Sequence, residues 1–300
     1  MKSIKELYRI GTGPSSSHTM GPRKAAEIFL ERHPEATAFK VTLYGSLAAT
    51  GKGHMTNIAI TEVLQPVAPV EIIWEPKIFL PFHPNGMKFV SVDKEGKETD
   101  QWVVFSIGGG ALAEESDGAS SVNTPDVYSM NSMTEILQWC ERTGKSYWEY
   151  VKECEDSDIW DYLQEVWKTM QNAVKRGLEQ EGVLPGPLNL RRKASTYYIR
   201  ASGYKQSLQS RGLVFAYALA VSEENASGGV IVTAPTCGSC GVMPAVLYHL
   251  AKSREFSDTR ILRALATAGL VGNIVKTNAS ISGAEVGCQG EVGVACAMAS

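Results

Sequence analysis

The sequence predicts a two-part protein: a small α/β (α+β) N-terminal domain with a mixed or antiparallel sheet, followed by a mainly α-helical domain. Three observations predict it. Up to residue 120, β-branched and aromatic runs alternate with helical patterns. Residues 116–127, SDGASSVNTPDV, are polar with Gly and Pro and read as a linker. Beyond them, Ala- and Leu-rich stretches follow the helical period. The expected domains are 1–120 and 128–300.

In chain order, residues 22–33 read as a helix, with Pro22 suited to its first turn. Residues 39–47, FKVTLYGSL, read as a strand and 55–64 as a short helix. Strands are expected at 71–80, 87–93 and 101–107, with Asp93–Lys97 as the hairpin turn between the last two. In the second half Ile159, Leu163, Val166, Met170 and Val174 share one helical face, and Gly177 is the expected stop. Residues 211–222 and 261–276 are further helices.

Composition narrows the function. With 44% hydrophobic and 20% charged residues, the 300-residue chain has ordinary globular composition. A net charge of -3 leaves no basic surplus for a phosphate backbone, so nucleic acid is not an expected partner. The opening MKSIKELYRI lacks the apolar core of a signal peptide, and the apolar stretches are interrupted before bilayer length. A cytoplasmic protein without a membrane partner is expected.

Four of the six cysteines, Cys237, Cys240, Cys288 and Cys296, lie in the last 64 residues, among Gly, Ser, Ala and Thr. Small residues let the backbone approach a bulky inorganic group. Three readings stand open. An iron–sulfur cluster tolerates scattered thiolates. A zinc site wants a second knuckle, which the 288/296 spacing is not. Redox or buried thiols are the third reading. Cys140 and Cys154 sit in a helical pattern and read as inert.

Ser15, Ser16, Ser17, His18 and Thr19 stand just before the helix that starts near Gly21–Pro22, where hydroxyls and backbone N–H groups suit an anion. Simple N-capping needs only one of them. His54 follows Gly51-Lys52-Gly53, and His83 opens a His-Pro-Asn-Gly turn. His33 and His249 read as structural. Glu285 and Glu291 bracket Cys288, as base, cluster neighbour or backbone contact. Ser106–Gly110, SIGGG, reads as close packing against the other domain. No S-x-K-x-R-G-like segment supports a pyridoxal phosphate site.

Six strings then carry a resemblance: GTGPSSSHTMGP (11–22), GKGH (51–54), HPNGM (83–87), SIGGG (106–110), NASGGVIVTAPTCGSCGVMPAVL (225–247) and NASISGAEVGCQGEVGVACAMA (278–299). In this order they resemble the single-chain iron–sulfur L-serine dehydratases over nearly the whole length. The resemblance implies a [4Fe–4S] cluster on Cys240, Cys288 and Cys296, one iron left open for substrate, and Cys237 as a spare. It implies catalytic roles for His18, His54 and His83. Ser15, Ser16, Ser17 and Thr19 would contact substrate; Asn278 and Ser280 read either as substrate contacts or as hydrogen bonds supporting the cluster loops, and Lys276 either as a helix-end lysine near favourable carbonyls or as a carboxylate contact. The implied reaction is L-serine to pyruvate and ammonia, at a site between the domains of a homodimer. The chain closes in ACAMAS, four residues after Cys296. The family's longer C-terminus, in some members a cysteine tail reaching back to the open iron, implies further chain beyond Ser300. Two rival readings are a structural zinc protein and an amino-acid sensor built on the small domain.

Overall fold

The computed structural model describes residues 1–115, 125–281 and 283–300, with the backbone alone at 283–285 and 288. Most of the expected linker lies outside the described residues. The chain forms two compact units, one of Pro14–Thr124 and one of Met1–Gly13 together with Pro125–Ser300. The first thirteen residues thus fold with the helical unit, although the sequence places them in the N-terminal domain. The cause is apolar burial: Ile4, Leu7 and Tyr8 are at most 1% exposed. Tyr8 donates its hydroxyl to the Leu265 carbonyl at 3.0 Å. Strand β1 (Ile10–Thr12) pairs antiparallel with Val230–Val232.

The N-terminal unit begins with a π-helical turn over Ser16–Met20, which runs into α1 (Gly21–Arg32). Pro34 stops α1 two residues on. In β2 (Ala38–Tyr44), Phe39, Val41 and Leu43 are buried and alternate with half-buried neighbours, the period-2 pattern of a strand with one core face. The strand ends at Tyr44 rather than at the expected 47. Gly45 adopts φ +49°, and a Cβ there would lie 2.6 Å from the Pro84 carbonyl oxygen. A short helix α2 (Gly45–Thr50) takes over, followed by α3 (Thr56–Leu64).

Strands β3 (Val70–Glu75), β4 (Gly86–Val92), β5 (Glu98–Gly108) and β6 (Ala111–Ala113) complete a five-stranded sheet of order β3-β2-β4-β5-β6. The β2–β3 pair is parallel and the others antiparallel, so the sheet is mixed. Register lines Val41, Phe89 and Trp102 across one face, and Leu43, Met87 and Val104 beside them. That face packs on Ala25, Ala26 and Phe29 of α1 and on Ile60 and Leu64 of α3. In SIGGG, Gly108, Gly109 and Gly110 all have positive φ and fold β6 back onto β5.

The helical unit continues with α4 (Met133–Thr143) and α5 (Tyr147–Cys154), both started by Ser–Glu capping boxes. In α6 (Ile159–Glu179) the expected apolar face is buried, joined by Trp167 and Ala173. Gly177 does not stop α6. It lets α8 (Gln206–Ala226) approach, since a Cβ at 177 would lie 2.1 Å from the Ala220 carbonyl oxygen. Between them lies α7 (Ala194–Ser202), whose N-terminus is capped from a distance: Glu223 accepts from Lys193 N at 2.6 Å and Ala194 N at 3.2 Å. Its neighbour Glu224 is held by Arg176 and Arg192. After β7 (Val230–Val232) come α9 (Val242–Ser253), α10 (Asp258–Asn278) and α11 (Gly283–Ala299), which bends at Gly287. Small residues draw α10 and α11 together: a Cβ on Gly272 would lie 2.7 Å from Met298 Sδ.

Candidate active site

Within the N-terminal unit, SSSHT and GKGH meet. Ser15 caps the π-helical turn, its Oγ accepting from His18 N at 3.1 Å. The extra residue of this turn rolls His18 inward to 8% exposure. Ser17 Oγ lies 2.9 Å from His18 Nδ1, and Ser46 Oγ lies 3.2 Å from Nε2. Both neighbours are hydroxyls, which donate or accept, so the neutral ring is satisfied in either tautomer.

The His54 ring lies 4.7 Å from that of His18, tilted by 41°. His54 Nδ1 lies 3.0 Å from the Thr50 carbonyl oxygen, so Nδ1 is assigned the proton. The lone pair is left on Nε2 of a half-buried ring. His83 Nδ1 accepts from Asn85 N at 3.1 Å. The turn it opens is tied in through Pro84, whose carbonyl accepts from Ser46 N at 3.0 Å.

Burial, then the charge on His54, holds the His18 pKa down at about 4 against an ordinary 6.5, partly offset by the Ser46 backbone bond. Between those pH values the unfolded chain binds the proton that the folded ring refuses. Stability therefore falls as pH drops from 6.5 to about 4, by on the order of 1–3 kcal/mol. Thermal melts should show this slope in the wild type and a shallower one in His18→Gln. Identical slopes would exclude His18 as the source.

Two of the hydroxyls expected to bind substrate face inward. Thr19 is 2% exposed; its Oγ1 donates to the His54 carbonyl at 2.7 Å and accepts from Ser15 N at 3.1 Å. Ser16 is 6% exposed. Ser46, Thr50 and Thr56 also serve the histidines, and the sequence reading passed over all three. A small hydroxyl residue beside a glycine turn, as in Tyr44-Gly45-Ser46, was the available signal.

In the helical unit, Cys237 and Cys240 occupy the turn between β7 and α9, each 1% exposed. Ser239 pins the turn by donating to the Ala234 carbonyl at 3.1 Å. Burial pushes the Cys240 thiol up to about 12. Burial, then the charges of Cys240 and Glu291, raises the Cys237 thiol well above its ordinary value. Glu291 leans over the turn, its Oε2 2.9 Å from where a Cβ on Gly238 would be. α11, which packs on α9, carries Cys296 at its exposed side. Ser282 lies outside the described residues, as do the side chains of Glu285 and Cys288. Among the described residues no three His, Cys, Asp or Glu side chains converge as metal ligands. The donor chemistry still suits a thiolate-bound metal. A buried neutral thiol becomes a thiolate when a cation replaces its proton.

The remaining candidates are held by protein groups. Asn278 Nδ2 donates to the Asn131 carbonyl at 2.6 Å and the Ile274 carbonyl at 2.9 Å. Lys276 Nζ donates to the Glu6 carbonyl at 3.1 Å, and burial lowers its pKa to about 8. Ser280 lies in the connection from α10 to α11. His33 and His249 bond Asp100 and Ser210. Cys140 and Cys154 are half-buried on α4 and α5.

Comparison with known proteins places these features. Residues 3–73 match the serine dehydratase beta chain family and residues 84–300 the serine dehydratase alpha chain family. The alpha-chain match thus takes in β4–β6 of the N-terminal unit. The chain is 37% identical to L-serine dehydratase of Haemophilus influenzae, an alignment covering 100% of this chain and 77% of the relative. Identity to L-serine dehydratase 1 of Escherichia coli K12 is 38% with the same coverage. For the Streptomyces coelicolor L-serine dehydratase it is 36%, covering 99% and 77%. Among the described residues no helix is long and apolar enough to cross a membrane. With beta- and alpha-chain regions matched in one polypeptide and relatives aligned over the whole of this chain, the chain belongs to the L-serine dehydratase family.

Proposed function

We propose that the chain is an L-serine ammonia-lyase, converting L-serine to pyruvate and ammonia. The observation that carries the reading is the His18–His54 pair, in which one ring is buried and neutral and the other keeps a lone pair on Nε2. Elimination needs a base for the α-proton and help for the departing β-hydroxyl. His54 Nε2 is the base, for its tautomer is set by the Thr50 carbonyl. His18 is the neutral neighbour, so the proton arriving on His54 meets no second full charge 4.7 Å away. The 2-aminoacrylate released tautomerises and takes up water, yielding pyruvate and ammonia.

Cys240, Cys288 and Cys296 are the proposed ligands of a [4Fe–4S] cluster, which when bound supplies a Lewis-acidic iron for the substrate oxygen. Anaerobic purification with iron and sulfide analysis, followed by a pyruvate assay with L-serine, tests the whole reading. Iron and sulfide in about equal amounts with serine-dependent pyruvate is the expected result. Zinc without sulfide, or no pyruvate from a cluster-loaded protein, would overturn it.

A further inference from the structure

Two buried threonines tie the histidine strings together in both directions. Thr19, next to His18, donates to the carbonyl of His54. Thr56, two residues after His54, donates to the carbonyl of His18. Thr19 is 2% and Thr56 0% exposed, so neither hydroxyl has water as a ready alternative partner. Between His54 and Thr56 stands Met55, at φ 58° and ψ 27°. A side chain in that left-handed region is strained and persists where its surroundings over-determine it. Thr56 supplies part of that determination, since its N also donates to the Gly51 carbonyl at 2.9 Å. The two bonds cross: each string uses its own threonine to hold the backbone of the other string's histidine.

We infer that Thr19 and Thr56 are positioning residues whose crossed hydroxyl bonds set the spacing of the His18 and His54 rings. The inference deepens the proposed lyase reading and rests on it for its catalytic consequence. It also reassigns Thr19, whose hydroxyl is committed to protein on both sides and is turned away from any substrate role. A side chain of the same shape without the hydroxyl removes the bond that holds the histidine carbonyl, and the string is then free to shift.

The test uses the full chain and two readouts. Diethyl pyrocarbonate labelling, resolved by peptide mass spectrometry, reports how accessible each histidine is without requiring activity. In Thr56→Val, His18 should label at least about fivefold faster, with His33 and His249 unchanged, because His18 loses its enclosure. In the cluster-loaded enzyme the same variant should lose about tenfold or more in kcat with KM for L-serine within about twofold, the pattern of a disturbed catalytic geometry. Thr56→Ser keeps the hydroxyl and should restore both. Unchanged labelling of His18 overturns the inference, and so does labelling that rises equally at His33 and His249, which would mark general loosening. Absence of pyruvate from the wild type would remove the lyase reading while leaving the labelling result to decide the clamp.

Discussion

Cys240→Ala and Cys288→Ala should each abolish the broad visible absorption of the anaerobically prepared protein, together with its pyruvate-forming activity, whereas Cys237→Ala should keep both. Iron should fall from about four per chain to below about one in the first two variants. The physical argument starts at Cys240. Its thiol is 1% exposed and is pushed up to about 12, so without a cation it stays neutral. A metal takes the proton's place and turns a costly buried thiolate into a neutralised one. Cys237 is equally buried but also faces Glu291, whose negative charge opposes a second thiolate there. Three thiolates leave one iron of a four-iron cluster without a protein ligand, which the proposed chemistry requires. A visible spectrum retained in Cys288→Ala would refute the ligand set, and one lost in Cys237→Ala would move the role to Cys237.

His54→Ala should lower kcat by about 10²–10⁴-fold, the usual worth of a positioned base, with the visible spectrum unchanged. The Thr50 carbonyl 3.0 Å from Nδ1 fixes the tautomer, and burial keeps the adjacent His18 neutral down to about pH 4. Steady-state kinetics with L-serine on protein of matched iron content measures the effect. A variant within about threefold of wild type would show that the α-proton leaves by another group.

Several elements of the fold could be read locally. The alternation of Phe39, Val41 and Leu43 marks a strand with one core face, and the spacing from Ile159 to Val174 marks a helix with one apolar stripe. Both are one-dimensional patterns, and burial follows them. Places where the reading went astray depend on distant neighbours. Gly177 has the local character of a helix stop, yet α8 crossing at Ala220 is what requires a glycine. Tyr44-Gly45-Ser46 continues a strand by composition, yet the Pro84 carbonyl behind Gly45 turns the chain. The glycine-rich string around Cys288 has the composition of a loop, yet its backbone forms α11 with a bend at Gly287.

The candidate site divides in the same way. His18 and His54 were nameable from their strings, and the structure brings their rings together; the turn that His83 opens is tied to Ser46 through the Pro84 carbonyl. By itself the sequence determined the α/β-then-helical order, the apolar faces and the chemical strings with their cysteines and histidines, because each is carried by residues near one another in the chain. Only the tertiary structure decided that residues 10–12 pair with 230–232, that Thr19 turns inward to the carbonyl of His54, and that the rings of His18 and His54 meet. Those outcomes rest on hydrogen bonds and burial contributed by residues far apart in sequence, and no local pattern encodes which distant carbonyl a hydroxyl or a ring will meet.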